Sequence, residues 1–195
     1  YGPGLRDYAN YLVDHGRYDD GLELIDRARL VEPLSAENHY RKGEILRRGE
    51  ERRLADGEKP SPVAKRLADS AALYLQALSV QPEFYPAYTR LAQMRWFQGR
   101  LAEAIKYAEQ SVAIEPAVGW TRQRLIWLYV DLGDVAAARD LMRGYVQGAP
   151  EIAPSEALLC FRAGNSDRAA AILTHLFSNP NVEPAGFATY IAPYA

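Results

Sequence analysis

Apolar residues recur along this chain at helical spacing, in paired segments separated by a glycine. Leu125, Ile126 and Tyr129 precede Gly133, Leu91 and Ala92 take the first two of those slots before Gly99, and Tyr8, Ala9 and Leu12 fill all three before Gly16. An i, i+1, i+4 grouping is one face of an α-helix. Beyond the glycines the pattern resumes with Tyr18, Leu101 and Val135, then Gly21, Ala104 and Ala138, then Ile25, Ala108 and Met142, and finally Ala28, Ser111 and Tyr145. This predicts a second helix with a small residue where it must approach its neighbour closely. The glycine supplies the positive φ that ends the first helix. A proline 17 residues after each glycine, at Pro33, Pro116 and Pro150, lets the next hairpin start in a new direction.

The beat is regular. Gly99 and Gly133 lie 34 residues apart, and so do Pro82 and Pro116; Gly16 and Gly99 are separated by two such periods and a 15-residue insertion. In these residues the chain resembles the tetratricopeptide repeat (TPR) family, whose period is ~34 residues. The closest match is the third unit, which keeps Tyr88, Leu91, Ala92, Gly99, Ala104, Ala108 and Pro116 and departs at Arg95, where the family prefers an aromatic. The fourth departs at Arg122, where a large apolar residue is usual. The resemblance implies an all-α, right-handed α-superhelix, a solenoid of stacked antiparallel helix pairs forming one repeat domain over 1–195. Its units are expected at about 2–35, 36–84, 85–118, 119–152 and 153–183, with 184–195 opening a further helix. Within the second unit the insertion occupies 50–64. Residues 50–55 are expected to extend the preceding helix, 56–60 to form a loop, and Ser61 to cap a helix running to about Val80, with Pro62 in its first turn. The fifth unit is short, since Gly164 follows Gly133 by 31 residues.

Composition narrows the function. Apolar residues make up 48%, enough for a real core, and the net charge of -2 encodes no general affinity for polyanions. Cys160 is the only cysteine, which excludes a disulfide framework and multi-cysteine metal sites, and reads as a buried, inert thiol. His15, His39 and His175 have no i, i+4 partner, and no phosphate-cradling glycine loop occurs. The Arg41-Lys42 and Arg47-Arg48 cluster is diluted by Glu44, Glu50 and Glu51, so nucleic acid is not an expected partner. No apolar run exceeds six residues, so membrane insertion is not expected either. Tyr1 reads as a cut point in a longer, soluble protein, with cytoplasm and periplasm both open. The expectation is a binding module, with no enzyme, cofactor or metal.

In the family the first helix of each pair lines the concave side, so the resemblance places an inner wall on this chain. Arg6, Asp7, Asn10 and Val13 come from the first unit, and Tyr40, Arg41, Glu44 and Arg47 from the second. Thr89, Arg90, Gln93, Trp96 and Phe97 come from the third, and Trp120, Gln123, Arg124 and Trp127 from the fourth. Trp96 and Trp127 are expected to pack between adjacent first helices, whereas Trp120 is better placed for exposure. Some TPR domains clamp a peptide's C-terminal carboxylate, and the matching positions here are Arg6, Asn10, Arg41, Pro86 and Arg90. One asparagine and one arginine match and Arg6 keeps its charge, while Arg41 stands in place of an amide and Pro86 in place of a cation. The leading expectation is a scaffold holding a protein or extended peptide, with acidic groups and an apolar anchor, in this groove. The alternatives are a sensor module of a larger bacterial signalling or transcription regulator, and a self-assembly module docking through 187–194 into a homo-oligomer.

Overall fold

The computed structural model describes residues 2–57, 60–143 and 153–178, with the side chains of 60–66 excepted. Among these, every regular element is an α-helix, ten in all. They are α1 (Gly2–Asp14), α2 (Tyr18–Val31), α3 (Ala36–Ala55), α4 (Pro60–Val80), α5 (Tyr85–Phe97), α6 (Leu101–Ile114), α7 (Gly119–Leu132), α8 (Val135–Met142), α9 (Ala153–Arg162) and α10 (Ser166–Phe177). They divide into two compact units, residues 1–94 and 95–195, with the division inside α5.

The same hydrogen-bonded turn closes four of the helices. Gly16, Gly99, Gly133 and Gly164 have φ of 79°, 71°, 85° and 78°. In each case the glycine N–H reaches three residues back and the next N–H five back, as in Arg17 to Leu12 and Asp134 to Tyr129, both at 2.9 Å. This double bond satisfies carbonyls that the helix end would leave unpaired, and it needs a left-handed residue that only glycine adopts without strain.

In the first unit, Ala9 and Val13 of α1 pack on Ile25 and Ala28 of α2 and on Ile45 of α3. The small-residue slot does what its spacing predicts: a methyl added to Gly21 would stand 2.6 Å from Val13 Cγ2 and 3.3 Å from the Ala9 carbonyl. Asn38 is wholly buried; its amide donates to the Ala28 and Glu32 carbonyls at 3.1 and 3.2 Å, fastening the end of α2 to the start of α3. Ser35 caps α3 by accepting from the Asn38 N–H. That helix continues to Ala55, then turns through Asp56 and Gly57, where φ is +89°. Two residues of the expected loop, 58 and 59, lie outside the described residues. Helix α4 starts at Pro60, ahead of the expected Ser61 cap. Proline fits there because a first-turn N–H has no intrahelical acceptor to lose.

In the second unit Ile126, Trp127 and Val130 of α7 pack on Ala138 of α8 and Leu159 of α9. Asp134 and Asn165 cap α8 and α10 through the N–H groups of Ala137 and Arg168. Asp131 is gripped from two sides, by Trp96 Nε1 at 2.7 Å and by Arg162 at 3.2 Å. Pro150, Tyr145 and the expected further helix at 184–195 lie outside the described residues.

Candidate functional site

Expected wall residues of α3 and α5 gather around one carboxylate. Glu44, on α3, is 9% exposed. Arg47, one turn along the same helix, reaches it at 3.2 Å, Arg90 of α5 approaches it at 2.8 Å, and Tyr74 of α4 donates its hydroxyl at 2.6 Å. Arg90 also donates to Gln93 at 3.1 Å. Arg47 bonds Glu51 with its remaining arm. The buried Tyr40 ring lies 5.7 Å from that of Tyr74 and stands edge-on to Phe84, and Arg41 sits over its face while pairing with Glu37 at 2.5 Å.

Electrostatics follows from this geometry. Burial alone would push the Glu44 carboxyl up, but the Arg90 and Arg47 guanidiniums and the Tyr74 hydroxyl overcome it and hold the group below its ordinary 4.5. Burial works against the charges of Arg47 and Arg90 as well, and Glu44 more than offsets it, so both are raised. Tyr40 and Tyr74 are pushed up by burial and by the neighbouring Glu44 charge.

The remaining wall residues go elsewhere. Arg6 turns to Glu32 at 2.8 Å and Asn38 at 3.0 Å and does not join the Glu44 group; Asn10 is half-buried on the same helix. In the second unit Trp120 is 41% exposed at the start of α7, whereas Trp127 is 5% exposed, 6.5 Å from Trp96, with its indole N–H on Ser155 Oγ at 2.6 Å. Arg124 is buried. Four of the eleven candidate residues, Tyr40, Glu44, Arg124 and Trp127, are thus withdrawn from solvent and support the surface they were expected to line. For two of them the covering partner from another helix is plain: Ser155 of α9 bonds Trp127 and Arg90 of α5 pairs with Glu44.

Three contributors were not singled out from sequence: Tyr74, Asn38 and Glu32. Tyr74 lies eight residues before Pro82, the slot of Ile25 and Ala108 in the repeat, so its spacing predicts a buried second-helix position but not its partner. The Glu44-Arg47 spacing of three residues was the available signal, since it sets both groups on one helical face.

Among the described residues no His, Cys, Asp and Glu group has the arrangement of a metal site, and no helix is long and apolar enough to cross a membrane. Known proteins give the wider context. The chain is 40% identical over 73 residues to the TPR repeat-containing thioredoxin TTL4 of Arabidopsis thaliana, a stretch covering 37% of this chain and 11% of that relative's length. Among solved structures, a thermophilic TPR protein of Thermus thermophilus superposes with a TM-score of 0.64 at 16% identity, covering 99% of this chain and 98% of that one. The first TPR of Spaghetti (RPAP3), bound to an HSP90 peptide, superposes with a TM-score of 0.54 at 17% identity, covering 68% of this chain and 93% of that one. These likenesses show a common fold. Tetratricopeptide repeat profiles match residues 7–56 and 64–117, and a second such profile matches 96–158. Together with the glycine turns and close-packed helix pairs, these matches over more than half its length establish that the chain belongs to the tetratricopeptide repeat family.

Proposed function

We propose that this chain is a protein-interaction scaffold, binding rather than catalytic, that holds a peptide or a partner's segment on its first-helix faces. The observation that carries this reading is the Glu44 clamp. By pulling Arg47 and Arg90 onto one carboxylate, it fixes two otherwise flexible guanidiniums in the first unit, and Arg41 is held close by over Tyr40. Preorganised donors bind with less entropy to lose. Each guanidinium carries five N–H donors, so N–H groups remain for a partner's carboxylates or carbonyls. The Spaghetti repeat, with a peptide bound, is the precedent within the fold.

The internal acids Glu37, Glu44 and Glu51 already pair with these arginines. The preference for acidic ligands is therefore modest and the affinity on the order of micromolar, weakening with salt. In the second unit, exposed Trp120 offers an apolar contact on the face of α7. Selection from an unbiased peptide library tests the reading. Enriched sequences should carry acidic residues, and Arg41→Ala and Arg90→Lys should each weaken their binding. Uniformly basic selections, or binding that survives both changes, would overturn it.

A further inference from the structure

Helices α8, α9 and α10 of the second unit line an open cleft of about 500 Å³, within the size range of small-ligand sites. Met142, Leu159 and Ile172 give it an apolar interior, and Arg139, Arg143 and Arg168 stand around it. Glu156 is the acid in the lining, so three guanidiniums face a single carboxylate. Folding does not call for this charge. The Arg139 and Arg168 side chains have no partner among the described residues. Arg143 makes an exposed i, i+3 pair with Asp140, of the kind that water and salt largely screen. Arg168 lies in the first turn of α10, where the helix dipole disfavours a cation. Cys160, expected to be buried, is half-buried and lines the same cleft.

We propose that this cleft is a binding site for a small amphiphilic anion, with a carboxylate or phosphate head held by Arg139, Arg143 and Arg168 and a compact apolar body in the interior. Volume sets the size of the ligand, the interior sets its apolar part, and the excess of guanidiniums sets the sign of its head, since arginine forks match carboxylate and phosphate oxygens. The site is separate from the first-helix face of the first unit, and its test does not depend on peptide binding there.

Cys160, the sole cysteine, reports occupancy directly. Its reaction with a neutral aromatic disulfide, dithiodipyridine, is followed in the presence of naphthoate, naphthyl phosphate or naphthol, which share one apolar body and differ in head group. At millimolar concentration at least one of the two anions should slow labelling about fivefold or more, and the stronger of them identifies the preferred head, while naphthol should change the rate less than about twofold. An Arg139→Ala, Arg168→Ala double variant should raise the half-protecting concentration about tenfold, equivalent to one decade in affinity. Arg168→Glu, a single exposed change, should abolish protection. Equal protection by naphthol, no protection by either anion, or undiminished protection in the variants would overturn the proposal.

Discussion

The Glu44 carboxylate and the Arg90 guanidinium meet at 2.8 Å across 46 residues of chain, joining α3 to α5 inside the first unit. A buried pair of this kind is weak evidence of net stabilisation, because desolvation opposes the attraction. Removing one member is different, since the survivor is left buried without its countercharge. Glu44→Ala should therefore destabilise the protein by about 3–5 kcal/mol in urea unfolding. Tyr74→Phe, which removes a single bond to the same carboxylate, should cost about 1–3 kcal/mol. A Glu44→Ala protein as stable as wild type would mean that the arginines relax into solvent.

Acid should unfold the protein partly through the same group. The folded-state value of Glu44 lies below its ordinary 4.5, so the proton binds more readily to the unfolded chain. Its contribution is complete above the ordinary value and is lost as pH falls through the lowered one. Stability measured from pH 6 downward should fall more gently below about pH 4.5 in Glu44→Gln than in wild type. Parallel slopes would remove Glu44 from the acid response.

The close helix crossings give a packing prediction. Ala104 and Ala138 are wholly buried, and methyls added at Gly21 and Gly43 would stand 2.6 Å from Val13 and from the Tyr74 ring. Ala138→Leu, Gly21→Ala and Gly43→Ala should each cost about 1–3 kcal/mol through overpacking. Ala104→Glu, which buries an unpaired charge, should cost about 3 kcal/mol or more. A wild-type melting temperature for Ala104→Glu would refute the alignment of the repeats.

The two tryptophans of α7 should behave oppositely. Trp127→Ala removes a packed ring and strands the Ser155 hydroxyl, and should cost about 3–5 kcal/mol. Trp120→Ala, at a position 41% exposed, should cost less than half as much and show its main effect in peptide binding. Thermal unfolding of the two variants separates these outcomes.

Much of this molecule is legible in its sequence because the signals are local. Gly16, Gly99 and Gly133 end helices through their own φ and through bonds to carbonyls three to five residues away, so spacing alone locates them. The same holds for the small residues at Gly21, Ala104 and Ala138, whose position in the repeat states how closely two helices approach. Whether a side chain in an inward slot meets solvent is not local. Trp120 and Trp127 lie on one face of one helix, yet only Trp127 is covered, because α9 brings Ser155 over it. Glu44 and the arginines occupied inward slots of first helices, but the pattern could not say that they would neutralise one another or that Tyr74, from a second helix, would complete the group. Periodicity determined the helices and their pairing. Burial and charge pairing depend on distances between residues tens of positions apart, and only tertiary packing decided them.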